Sequence, residues 1–244
     1  MKQLFVVGIG PGDASAMTAE AQSALSNSDI IFGYTAYIQL IEHLFPGKKL
    51  ASTPMTQEVG RCAMALEHAA QGKVISIICS GDAGVYGMAG PILELAPQYP
   101  DVDIIILPGV TAAQSGGAVL GAPLGHDFAV ISLSDLLTPW PLIEKRLESV
   151  SEADFCICIY NPRSKKRREH LAKACQLMMI HKSEDTVCGW VKNIGRQGQQ
   201  CGVLTLRELV EFDADMFTTI FIGNKQTKEI GGRMVTPRGY EALI

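Results

Sequence analysis

Four short apolar runs in the first half of the chain, LFVVGI, DIIFG, KVISIICSGD and VDIIILPGV, alternate with amphipathic or alanine-rich stretches. Continuous Val/Ile runs of this length are what strands buried on both faces look like, because crossover helices cover both sides of a parallel sheet. The alternation therefore predicts an α/β fold with mainly parallel sheets. TAEAQSALSNS reads as a helix capped by Thr18, AYIQLIEHLF and QEVGRCAMALEHAAQG as two more, and GMAGPILELA as a helix that Pro91 must start or bend. A second set of strands, ADFCICIYNP, DTVCGWVKN, GVLTL and MFTTIFIGN, follows, with KKRREHLAKACQLMMI as an intervening helix. Between the two sets, GAPLGHDFAVISLSDLLTPWP carries three prolines and two glycines and reads as a linker with a functional loop. The expected boundary lies within 115–135, giving domains 1–120 and 121–244.

Composition narrows the function classes. With 244 residues, 19% charged residues and a net charge of -4, the chain has no global field to hold nucleic acid or an anionic membrane surface. Nothing approaches the run of about 18 apolar residues that a membrane span requires. The seven cysteines are scattered through apolar segments without C-x-x-C spacing and read as buried thiols in a reducing cytoplasm, with no metal site expected.

The stretch VVGIGPGD, Val6 to Asp13, invites a dinucleotide reading. Gly8 and Gly10 match the first two glycines of G-x-G-x-x-G, but Asp13 stands where the third should allow close helix packing. The acid expected at the end of the second strand is replaced by Gly33. A Walker loop fails too, because no Gly-Lys-Ser or Gly-Lys-Thr follows, and a carboxylate at Asp13 would repel a phosphate.

Three strands end in related turns, GIGPGD, CSGDAGVYG and LPGVTAA, and open parallel sheets bind ligands beyond the carboxyl ends of their strands. Asp82 directly ends one of these strands, where it either holds an amine, a ribose hydroxyl or a cation, or caps the helix that follows. In this order, GIGPGD, SGDAGVYGMAG, PGVTA, HDFAVISLSDLLTPW and YNPRSKKR resemble the tetrapyrrole methylases over nearly the whole chain. The last two motifs are similar to the branch that methylates C17 of a corrin precursor and contracts its ring.

That resemblance implies a homodimer of two α/β domains with S-adenosylmethionine in an interdomain cleft. By motif, Pro11, Ser80, Gly81, Asp82, Val85, Thr111 and Ala112 would bind the cofactor from the N-terminal half, and Asn161, Ile194, Thr218 and Thr219 from the C-terminal half. Gly10, Tyr86, Arg163 and Lys166 are candidates for the tetrapyrrole substrate. Methyl transfer needs positioning more than a side-chain nucleophile, whereas ring contraction needs proton transfers. His126, Asp127, Ser134 and Asp135 are the candidates for that work, with Ser132 beside them. His126 leads because an unperturbed imidazole titrates near neutrality; it could equally be bonded within a turn.

The basic run Arg163 to Arg168 is expected in the first turn of a helix, where positive charge opposes the dipole. Such a choice suits a polycarboxylate substrate gripped by arginine forks. Lys165 and Lys166 could instead be solvated, and Trp140 and Tyr86 could stack on a macrocycle or simply pack.

Overall fold

β1 (Gln3–Gly8), α1 (Ala19–Asn27), β2 (Ile30–Tyr34), α2 (Thr35–Ile41), β3 (Lys49–Thr53), α3 (Glu58–Ala70), β4 (Val74–Cys79), α4 (Ala89–Leu95) and β5 (Asp103–Leu107) form the first of two units in the computed structural model. Residues 2–164 and 167–240 are described; Lys165 and Lys166, and with them the Lys166 substrate assignment, lie outside them. The five strands run parallel in the order β3-β2-β4-β1-β5. Thr18 caps α1 by accepting the Ala21 amide at 3.1 Å, as its position before the alanine-rich face predicts. β3 has no counterpart in the expected elements: KLAST is short and half-exposed at the sheet edge, so it lacks an apolar run.

The helices divide between the two faces. Leu25 of α1 and Ile41 of α2 pack on Val7, Ile31 and Ile78, while Leu66 of α3 and Ile92 of α4 pack on Val6, Ile75 and Ile77. β1 and β4 are neighbours, yet one leads to a helix on one face and the other to a helix on the opposite face. The chain thus leaves the carboxyl ends of these two neighbours toward opposite faces, the arrangement at which open α/β sheets hold ligands.

The second unit begins with α5 (Ala112–Leu120), at the join, and continues through β6 (Gly121–Ala122), β7 (Phe128–Ser132), α6 (Trp140–Glu152), β8 (Cys156–Tyr160) and α7 (His170–Met178). β9 (Val187–Lys192), β10 (Gln200–Thr205), α8 (Leu206–Leu209), β11 (Thr218–Ile222), β12 (Lys228–Ile230) and β13 (Arg233–Val235) complete it. The chain divides between Ala112 and Ala113, ahead of the 115–135 window expected from composition. Packing explains the difference. Ala113 and Leu120 of α5 join a core with Cys158, Val191, Phe221 and Met234, so the chain has entered the second unit before its proline-rich stretch begins.

The second sheet, in the order β10-β9-β11-β8-β7, corrects the expectation of mainly parallel sheets. Only β7 and β8, joined through α6, are parallel; β11 is antiparallel to both β8 and β9, and β10 to β9. The short connection between β9 and β10 permits a hairpin but no crossover, which forces opposite directions. HDFAVISLSD is likewise not all loop, because Phe128–Ser132 forms the edge strand β7. α7 starts only at His170, so Arg163, Arg167 and Arg168 precede the helix rather than occupying its first turn, and the argument from the dipole has no purchase on them. Six of the seven cysteines are buried, Cys201 is exposed, and all are free thiols. Among the described residues, no helix is long and apolar enough to cross a membrane.

Candidate functional site

In the first unit the three glycine turns are bonded to one another. The Gly10 amide donates to the Gly81 carbonyl at 2.9 Å and the Gly81 amide returns to the Gly10 carbonyl at 2.7 Å, a two-residue bridge between the turns after β1 and β4. Both residues have positive φ, +60° and +72°, which glycine adopts without strain. Gly8 and Gly109 meet beneath this bridge so closely that a Cβ on Gly109 would lie 2.2 Å from the Gly81 carbonyl oxygen.

Asp82 completes the lock. Its Oδ1 accepts the amides of Gly84 at 2.8 Å and Val85 at 3.0 Å, and its Oδ2 accepts the amide of Gly109 at 3.0 Å. One carboxylate thus ties the turn after β4 to the turn after β5, combining the capping role with a link that local sequence does not show. Ser80, Gly81, Asp82, Thr111 and Ala112 are half-buried, so they form an accessible rim around this knot. Gly10 is buried, Pro11 is half-buried, and Val85 and Tyr86 are exposed, Tyr86 at a strained φ of +55°. Asp13 turns away to cap the short helical turn Ala14–Ala16; the Ser15 hydroxyl and amide bonds hold its carboxyl below the ordinary range.

The chemistry of this donor set is specific. No lysine or arginine occurs in GIGPGD, CSGDAGVYG or LPGVTAA, and the one carboxylate at the knot is Asp82. A pyrophosphate would find no cation there and one negative charge. A cationic ligand read through backbone groups meets no such repulsion.

The second unit gathers most of its nominated residues at one end of its sheet. Asn161 follows β8 in the left-handed region at φ +52° and donates from Nδ2 to Ser132 Oγ at 2.9 Å, tying the ends of β7 and β8. Ser132 Oγ also accepts the Ser134 amide at 3.2 Å, and Tyr160 Oη accepts the Ala113 amide at 2.7 Å. Thr218 and Thr219 are at the same end, since β11 starts opposite the last residues of β9. Ile194 follows β9 and packs against α5, where a Cβ on Gly116 would lie 3.0 Å from its Cδ1.

Thr218 is positioned by Asp215, whose Oδ1 accepts the threonine hydroxyl at 2.9 Å and whose Oδ2 pairs with Lys192 at 2.7 Å. Burial raises the Asp215 carboxyl, but the bonds from Lys192, Thr218 and the Phe217 amide outweigh it, and the net shift is downward. A carboxyl lowered on folding stabilises the protein fully above its unfolded value, and that contribution is lost as pH falls through the folded one. Asp215→Asn should therefore flatten the loss of stability below about pH 4, where an ordinary aspartate titrates, in acid-unfolding curves; curves parallel to those of the parent would refute this.

The structure does not bring the four catalytic candidates together. Ser134 and Asp135 lie beyond the carboxyl end of β7, whereas His126 and Asp127 precede its amino end. Five residues at about 3.3 Å each separate the two pairs by about 16 Å of strand. At its own end the His126 Nδ1 accepts the Asp127 amide at 2.9 Å, which is the turn role. Asp135 has a partner that sequence spacing does not reveal. His170 Nε2 lies 3.1 Å from its Oδ2, and the His170 ring packs edge-on against Trp140 with centroids 4.5 Å apart. Burial raises the Asp135 carboxyl, but the His170 bond, a backbone amide and nearby Arg167 hold it below the usual range. At neutral pH it is thus an ionised acceptor and no proton donor. Arg163 pairs with the exposed Asp213, while Arg167 bonds Ser164 and the Leu133 carbonyl. Trp140 donates from Nε1 to Glu144 at 2.6 Å.

The chain as a whole has relatives among known proteins. Residues 3–210 match the family described as Tetrapyrrole (Corrin/Porphyrin) Methylases. The chain is 47% identical over 238 residues to the probable cobalt-factor III C(17)-methyltransferase of Salmonella typhimurium, covering 97% of this chain and 99% of that protein. It is 40% identical to the cobalt-factor III methyltransferase of Priestia megaterium, over 98% of this chain but 45% of that longer protein. The chain thus spans nearly all of some curated relatives and about half of others. The crystal structure of the methyltransferase CobJ superposes with a TM-score of 0.88 at 34% identity, covering 96% of this chain and 99% of that one.

Proposed function

The chain belongs to the tetrapyrrole (corrin/porphyrin) methylases, and on that premise we propose that it methylates C17 of a corrin precursor and contracts the macrocycle in cobalamin biosynthesis. The substrate is precorrin-3B or its cobalt-containing counterpart, cobalt-factor III, and the methyl donor is S-adenosylmethionine. The observation that carries the donor is the first unit's knot: backbone groups on a locked frame, one carboxylate, and no phosphate-binding cation. Ser80, Gly81, Asp82, Thr111 and Ala112 on its rim, with Pro11 and Val85, would hold the cofactor. Asn161, Ile194, Thr218 and Thr219 would contribute from the second unit.

S-adenosylmethionine supplies an electrophilic methyl group, so the protein's task at that step is alignment and exclusion of water. A frame stitched by Gly10, Gly81 and Asp82 suits it, because little has to reorganise on binding. For contraction, Asp135 can accept or stabilise a proton, with His170 holding it, and Ser134 stands beside it. Tyr86 and Arg163 are carried as substrate contacts, Arg163 on condition that it leaves Asp213. The same reading takes the enzyme to be a cytoplasmic homodimer.

Incubation with methyl-labelled S-adenosylmethionine and cobalt-factor III should yield a product that has gained one methyl group and shows the contracted chromophore. Methylation without contraction would refute the C17 reading. Micromolar binding of NADH with none of S-adenosylhomocysteine would overturn the methylase reading altogether.

A further inference from the structure

Arg61 lies in the first turn of α3 and is only 3% exposed. Its Nη1 donates to Thr53 Oγ1 at 2.5 Å, and its Nη2 approaches the thioether of Met88 at 3.8 Å. Nε is buried with no partner at all. Among the described residues no carboxylate pairs with this guanidinium; the nearby Glu58 instead accepts the Thr56 amide at 3.2 Å. A group with five donors and a permanent charge is therefore served by one hydroxyl and one weakly accepting sulfur.

Burying a charge without a counter-ion is among the costliest things a fold can do. Its location tells what the cost is for. Thr53 ends β3, and Met88 belongs to the segment after β4, where its amide donates to Cys79 Sγ at 3.2 Å. The guanidinium thus sits at the carboxyl end of the parallel sheet, the same end as the glycine knot. The segment following Thr53 is exposed and holds Thr56 in the left-handed region at φ +70°.

We propose that Arg61 is an anion receptor that takes a ligand carboxylate on its unfilled donors, with Thr53 orienting the fork. This rests on the methylase reading, in which both ligands bear carboxylates: the tetrapyrrole its acetate and propionate arms, and S-adenosylmethionine its amino-acid end. Bidentate guanidinium–carboxylate geometry is what an arginine, and not a lysine, is suited to supply.

Arg61→Met and Arg61→Lys, compared with the parent, test the assignment. In the ligand-free protein Arg61→Met should melt at the same temperature or higher, since an unpaired buried charge is replaced by an apolar chain. A clear fall in melting temperature would show that the guanidinium is already satisfied, and would overturn the proposal whether or not the enzyme methylates corrins. Calorimetric titration separates the two carboxylate sources. If the amino-acid end is bound, Arg61→Met weakens S-adenosylhomocysteine by at least about tenfold and leaves methylthioadenosine, which lacks that carboxylate, unchanged. If the macrocycle arms are bound, it raises KM for cobalt-factor III by at least about tenfold at little change in S-adenosylhomocysteine affinity. Arg61→Lys should recover only part of either loss. A parent enzyme that methylates normally and an Arg61→Met variant with both constants unchanged would sink the receptor and leave the methylase reading standing.

Discussion

Gly109→Ala is expected to lower the melting temperature by about 10 °C or to leave no folded protein, a loss of about 4 kcal/mol or more. The new Cβ would lie 2.2 Å from the Gly81 carbonyl oxygen and 2.6 Å from the Gly8 carbonyl carbon and oxygen. All three atoms are backbone, so none can swing aside as a side chain would. Relief requires the turns to separate, which breaks the Gly10–Gly81 bridge and pulls the Gly109 amide from Asp82. Gly60→Ala is the matched control: it lies within α3 with nothing inside 4 Å of the added carbon, and alanine should be neutral or stabilising there. Calorimetry or circular-dichroism melting of the two variants checks the contrast. A Gly109→Ala protein melting within 2 °C of the parent would mean that the turns are not closed on one another.

Asp82→Ala should cost roughly 2–3 kcal/mol of stability and weaken S-adenosylhomocysteine by about 100-fold. Three backbone amides lose a charged acceptor at once, those of Gly84, Val85 and Gly109. The rim of the site would then sample many arrangements, and binding would have to select one of them. Asp82→Asn retains one carbonyl oxygen for Gly84 and Val85 but turns an amide NH2 toward another donor at Gly109, so it should fall between parent and alanine. Measuring both properties on the same variants separates a frame from a contact. Lost affinity at unchanged stability would make Asp82 a ligand contact only; unchanged affinity would remove it from the site.

Much of the first unit was legible in the sequence because its information is local. Val/Ile runs bounded by turn residues mark β1, β2, β4 and β5, and Thr18 before an alanine-rich face marks the start of α1. β3 escaped because KLAST is an exposed edge without an apolar run. The glycine turns could be found by eye as strand ends, but their mutual bonding could not. Gly109 was legible only as part of a turn, since what demands glycine there is a carbonyl 28 positions earlier in the chain.

His126 shows how nearness along the chain differs from nearness in space. It lies within ten residues of Asp135 in the sequence, and proximity along the chain suggested a shared site. An intervening extended strand holds the two at opposite ends of a sheet, while His170, 35 positions away, reaches Asp135 instead.

The sequence by itself determined the α/β class, the positions of the strand-end turns, the absence of a phosphate-binding fingerprint and the resemblance to the methylases, because each is written in contiguous residues. The tertiary structure decided strand direction in the second sheet, the join at Ala112, the partners of Asp82 and Asp135, and the isolation of Arg61 from any described carboxylate. Those depend on which groups long-range packing brings within about 3 Å of each other, and hydrogen bonds and charges act only at that distance.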